Sequence, residues 1–133
     1  MDPKRLRDVP FFADLGKREL EQVGRWTDQV DVEAGTVLGR QGSVAYEFFV
    51  ILDGAAEVRV DGVRVSDLGP GDFFGEIGLL ESARRTATVV AATPMRLIVV
   101  FGREFRAMER ELPSVAGKVR EAIRERLERL PEP

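Results

Sequence analysis

The stretch Pro70-Gly71-Asp72-Phe73-Phe74-Gly75-Glu76-Ile77-Gly78-Leu79-Leu80, followed shortly by Arg84-Arg85-Thr86-Ala87-Thr88-Val89, decides how the chain is read. Gly75 permits another backbone to approach closely, and residues 76–80 suit one helical turn whose unpaired N–H groups attract an anion. Arg85 stands at the mouth of an apolar strand with a planar fork of donors that matches phosphate oxygens, and Thr86 adds a hydroxyl beside it. Glu76 is the discriminating residue. A pocket made only for a phosphate would not place a carboxylate next to it, because two anions repel. A ligand that also presents a hydroxyl, as a ribose 2′-OH does, gives Glu76 a hydrogen bond to accept, and a deoxy analogue is rejected because it would leave the carboxylate unpaired. As a bare ion pair on a surface, Arg85 and Glu76 would contribute little; the glycines and apolar residues between them favour a pocket. Arg84 reads as a solvated charge, and Phe73-Phe74 as core.

Outward from this stretch, residues from about 30 to 101 form short apolar runs separated by glycine-bearing turns at Glu33-Ala34-Gly35, Arg40-Gln41-Gly42, Leu52-Asp53-Gly54, Asp61-Gly62 and Gly69-Pro70-Gly71-Asp72. That punctuation predicts some eight strands in an antiparallel barrel or sandwich. Ala56, Val58 and Val60 alternate with polar residues up to Asp61-Gly62, which supplies the positive φ of a tight hairpin leading into Val63-Arg64-Val65. The unbroken run Phe48-Phe49-Val50-Ile51-Leu52 predicts a strand covered on both faces. Runs at 87–92 and 97–101 predict the last two strands, joined at Thr93-Pro94.

On either side of the strands the period becomes helical. Leu15, Leu20 and Val23 among charges predict a short helix over about 14–26, with Asp14 as its N-cap. Phe105 and Met108 mark a helix that stops near Pro113. Ser114 is expected to cap a longer one bearing Val115, Ala116, Val119, Ile123, Leu127 and Leu130. This last stripe suits three uses: packing on the chain's own strands, closing over a ligand, or pairing with the same helix of a second copy.

Composition narrows the function. The chain has 133 residues, 44% of them hydrophobic, which is enough for one core and one domain. With no Cys and no His, disulfides and thiolate metal sites are excluded, and the commonest general base and metal ligand are missing, so an enzyme is disfavoured and no metal is expected. A formal net charge of −3 argues against direct DNA binding. The charged N-terminus and the shortness of every apolar run argue for a cytoplasmic protein that does not enter a membrane.

The quoted motif resembles the phosphate-binding cassette of cyclic-nucleotide-binding domains, the family of the bacterial catabolite activator and of the regulatory subunits of cyclic-nucleotide-dependent kinases. The resemblance covers nearly the whole chain. It implies a mainly β fold, an antiparallel β-roll of jelly-roll type with one N-terminal and two C-terminal helices, in a single domain over 1–133. Its parts would be a helical segment at about 1–28, the roll at 29–101 and the C-terminal helices at 102–133. It further implies that Arg85 neutralises the cyclic phosphate, that Gly75, Ile77, Gly78 and Thr86 add backbone or hydroxyl contacts, and that Glu76 takes the ribose hydroxyl. The purine would be capped from the last helix, with Val119 and Ile123 as weaker candidates. Thr86 is compatible with cyclic GMP and with cyclic AMP; cyclic AMP is favoured. The catabolite activator continues into a helix-turn-helix, whereas this sequence stops after its long helix. A complete chain of this kind would be a stand-alone sensor acting through an unidentified effector protein or through a homodimer formed by the C-terminal helix; a fragment would have lost its effector. The alternative function is a degenerate roll that serves protein interaction or dimerisation without ligand. A cupin-type barrel enzyme, which needs clustered His ligands, is disfavoured by their absence.

Overall fold

The computed structural model describes residues 6–7, 12–13, 15–43, 47–75 and 85–129, without the side chains at 122–123 and 126–129. The elements run α1 (Lys17–Arg25), β1 (Asp28–Val32), β2 (Val37–Gly39), β3 (Glu47–Asp53), β4 (Ala56–Val60), β5 (Val63–Leu68), β6 (Phe73–Phe74), β7 (Thr88–Ala91), β8 (Met95–Phe101), α2 (Gly102–Glu111) and α3 (Pro113–Arg129). The antiparallel strands form two sheets of four, ordered β1-β8-β3-β6 and β2-β7-β4-β5. This is the β-roll with flanking helices expected from the resemblance.

β3 and β8 explain how the layers stack. Successive side chains of a strand point to opposite faces, so a run with no polar residue needs apolar cover on both. Phe48 and Val50 point with Ile98, Val100 and Phe73 into a core shared with Leu20, Val23, Phe105, Met108, Val115, Ala116 and Val119. Phe49 and Ile51 point the other way, with Leu97, Val99 and Phe74, into the interior of the roll against Ala56, Val89 and Ala91. The first sheet is therefore the middle layer, with helices on one face and the second sheet on the other. Phe73 and Phe74, adjacent in sequence, divide between the two cores. Phe73 meets Phe48 at a centroid separation of 5.6 Å, and Phe74 stacks on Phe49 at 4.8 Å.

The hairpin expected at Asp61-Gly62 joins β4 to β5, and both residues have positive φ, 53° and 81°, as a tight primed turn requires. β7 and β8, which lie in different sheets, are joined across Thr93-Pro94 as read from the sequence.

Both expected helix caps need correction. α1 starts at Lys17, and its cap position is Gly16, whose N–H donates to Glu19 Oε1 at 3.1 Å. Asp14 lies outside the described residues. α3 starts at Pro113, one residue before Ser114. Proline suits a first helical position because its missing N–H would be unpaired there anyway.

The stripe on α3 has a definite use in its first half: Val115, Ala116 and Val119 are buried in the chain's own helix-side core. Ion pairs reinforce that docking. Lys118 Nζ donates to both carboxylate oxygens of Glu19 on α1, at 2.9 and 2.8 Å. Arg120 pairs with Glu109 of α2, and its guanidinium lies 5.8 Å from the centroid of the Phe105 ring. The Lys118 ammonium, with the Gly16 N–H, holds the Glu19 carboxyl below its usual range.

Two outcomes follow for stability. Phe48→Ala should cost about 3–5 kcal/mol in urea denaturation, the range for emptying a buried aromatic site, while Val63→Thr, at a position 64% exposed, should stay within about 0.5 kcal/mol. Because the Glu19 pKa is depressed by folding, its contribution is fully present above the usual carboxylate range. That contribution should fade as pH falls through the depressed value. In Lys118→Met this part of the acid dependence, read from melts across pH 2–6 (roughly the span of carboxylate titration), should be reduced.

Candidate functional site

The site lies where the two sheets meet at one end of the roll. β2 ends at Gly39, and the turn after it is held from three sides. The Arg85 N–H donates to the Ser43 carbonyl, and the Arg85 carbonyl accepts from the Gly42 N–H, both at 2.8 Å. The Gln41 N–H donates to Thr88 Oγ1 at 3.0 Å. The Gln41 side chain donates to Asp61 Oδ1 at 2.9 Å and accepts from the Asp61 N–H at 2.8 Å, tying the turn to the β4–β5 hairpin. These bonds fix the backbone of Arg85, three residues before β7, against the turn after β2, from which its side chain reaches Glu47 of the first sheet.

Two glycines make room for that side chain. A Cβ on Gly39 would stand 2.8–3.0 Å from Arg85 Cδ, Nε and Cζ, so the arginine lies directly against the glycine's backbone. β2 carries a register shift between Val37 and Gly39 in its pairing with β7. At the far end, Gly75 follows β6 with φ of 81°, and a Cβ there would sit 2.4 Å from the Glu47 carbonyl oxygen and 3.1 Å from Arg85 Nη1. Arg85 thus spans from Gly39 to Gly75 across the mouth of the roll.

The guanidinium ends on Glu47, the first residue of β3. Arg85 Nη2 donates to Glu47 Oε2 at 3.1 Å and lies 3.4 Å from the Glu47 carbonyl oxygen. The Arg85 side chain is only 8% exposed and that of Glu47 is 33% exposed. A guanidinium this deeply buried is costly unless an anion faces it. Glu47 provides the negative charge.

Of the residues expected at the site, the structure brings Gly75 and Arg85 together, and sets Thr86 next to them as an exposed residue. Glu76, Ile77 and Gly78 lie outside the described residues, as does Arg84. Val119, the expected purine cap, is 6% exposed and packed among the helix-side residues, on the opposite face of the middle sheet from the roll interior. The Ile123 side chain is outside the described residues. The sequence reading missed Gly39, Gln41 and Glu47. Gly39 carries the usual sign of a bulge or close approach, an isolated glycine in a strand pattern. Glu47 carries only a weak one, a charge at the head of a strand otherwise buried on both faces.

The family model of the cyclic nucleotide-binding domain matches residues 29–111, from β1 to the end of α2. This chain belongs to that family. A cyclic nucleotide-binding domain is a ligand-sensing module, and its chemistry is recognition, not catalysis. The domain is similar to a cyclic nucleotide-gated potassium channel of Rhizobium etli, at 35% identity over 89% of this chain and 33% of the channel. It is also similar to the cAMP-dependent protein kinase regulatory subunit of Schizosaccharomyces pombe, at 37% identity over 69% of this chain and 23% of the subunit. The chain spans a third or less of these curated relatives. Among solved structures it superposes on the N-terminal domain of a transcriptional regulator from Streptomyces coelicolor with a TM-score of 0.78. That match has 26% identity and covers 93% of this chain and 90% of the other. Among the described residues, no helix of the domain is long and apolar enough to cross a membrane.

The two glycines should respond differently to substitution. Gly75→Ala forces a side chain into a positive-φ position and against a backbone carbonyl, so it should cost about 2 kcal/mol or more in urea denaturation. Gly39→Ala meets only the movable Arg85 side chain and should cost clearly less.

Proposed function

We propose that this domain is a regulatory sensor that binds cyclic AMP in preference to cyclic GMP. Arg85 holds the cyclic phosphate and Glu76 accepts a hydrogen bond from the ribose 2′-hydroxyl. Gly75, Ile77, Gly78 and Thr86 complete the phosphate contacts through backbone N–H groups and the threonine hydroxyl. The observation that carries the reading is the buried Arg85 guanidinium at the junction of the sheets, flanked by Gly39 and Gly75, in a chain that belongs to the cyclic nucleotide-binding family. A buried, always-charged donor fork at a mouth lined by glycine backbone suits a small anion with several acceptor oxygens. The preference for cyclic AMP is supported by the similarity to a kinase regulatory subunit named for that nucleotide.

The output is a population shift passed to an effector. The relatives named above are a channel and a kinase subunit, each much longer than this chain, so the effector here is another protein or a further part of the same polypeptide. We place the domain in the cytoplasm, where such effectors meet the nucleotide. α2 follows β8 without a break, at Phe101 and Gly102, so a change in the roll reaches the helices directly.

Titration calorimetry of the folded protein with cyclic AMP and cyclic GMP tests the reading. Binding of both, tighter for cyclic AMP, is expected. Absence of heat with either would leave the roll as an interaction module without ligand. Arg85→Ala should weaken cyclic AMP binding by about 2–5 kcal/mol, the range for truncating one partner of a buried charge pair. Unchanged affinity would place the phosphate elsewhere.

A further inference from the structure

Glu47 is the second charged group at the site, and its role rests on the reading that Arg85 receives the cyclic phosphate. A side chain that is 8% exposed and permanently charged needs a counter-charge when no ligand is bound. Glu47 supplies one at 3.1 Å, and it does so from the rim of the site, with a third of its own side chain exposed. Toward the guanidinium a carboxylate presents what a phosphate edge presents, a negative charge and a pair of acceptor oxygens. Two such anions on one guanidinium repel each other across a few ångströms.

We propose that Glu47 is a built-in competitor for the cyclic phosphate. It pairs with Arg85 and gives way when nucleotide enters, and so it sets the ligand concentration at which the domain responds. Arg85 is then never left as an uncompensated buried cation: the phosphate replaces the carboxylate as its partner. The cost of breaking the pair is subtracted from the affinity. Glu47 also opens β3, directly before Phe48 of the helix-side core, so exchange of partners takes place at the head of the strand that joins both cores.

The test is Glu47→Gln, which keeps the length of the side chain and its ability to accept from Arg85 Nη2 but removes the charge. In calorimetric titration with cyclic AMP the variant should bind about tenfold more tightly than the wild type, the scale of removing one partly screened like charge near the phosphate. The ligand-free variant should melt at a lower temperature, because Arg85 has lost its counter-ion. Opposite signs for affinity and stability are the signature, since a purely structural role would weaken both. Equal or weaker binding by the variant, beside normal binding by the wild type, overturns this inference and leaves the cyclic nucleotide reading intact. No binding by either protein overturns the reading itself and the inference with it. Should the variant not fold, a crystal structure of the wild type with cyclic AMP decides. Separation of Glu47 Oε2 from Arg85 Nη2 beyond about 4 Å supports the inference, and a pair still at about 3 Å overturns it.

Discussion

β3 and β8 lie side by side in the middle sheet, paired antiparallel with Phe48 opposite Val100 and Phe49 opposite Val99. Each carries apolar side chains on both faces, and neither face can be left to water. The helices cover one face and the second sheet covers the other. That double demand for cover explains why the domain has three layers, and why α2 must turn back at once after β8. Without the helical layer Phe48, Val50, Ile98 and Val100 would form an exposed apolar stripe. Without the second sheet, Phe49, Ile51, Leu97 and Val99 would form another.

The site is built where the turn after β2 in the second sheet holds Arg85, whose long side chain crosses to Glu47 at the head of β3 in the first. The sheets supply rigidity on each side: the turn after β2 is tied to β7 and to the β4–β5 hairpin, and Gly75 is held beside the start of β3. Arginine is suited to this span because its stem packs on glycine backbone while its head keeps its charge at any physiological pH. Lysine would offer the charge without the fork.

Much of the fold could be read from the residues, because the signals were local. Asp61-Gly62 specifies a turn through the conformations its own two residues prefer. The apolar run at the centre of β3 reports double burial without reference to any other part of the chain. Gly75 and Arg85 were legible through a motif confined to a short stretch. What escaped notice depended on residues far apart in sequence. Glu47 and Arg85 are 38 residues apart, and nothing near Glu47 indicates that an arginine will arrive there. Val119 has the spacing of a helix stripe, which fits a core and a ligand cap equally well; only the packing shows that it faces the helices. The α1 cap was misjudged because Asp14 is the better capping side chain, whereas here Glu19 reaches back to the Gly16 N–H. Competing local choices of similar energy are decided by the tertiary surroundings.

The strand pairing has a consequence for how the chain comes into being. β1 finds its only sheet neighbour among the described residues in β8, with Asp28 opposite Val99, and β2 finds its own in β7. The Glu19–Lys118 clamp joins residues 99 apart. Early strands are therefore synthesised well before the strands they pair with, and closing such distant contacts is slow. A nascent chain halted after β7 would hold β3 with neither of its apolar faces complete, a species prone to self-association. The last strand completes both cores at once, and the two helices behind it cover the face that the second sheet does not.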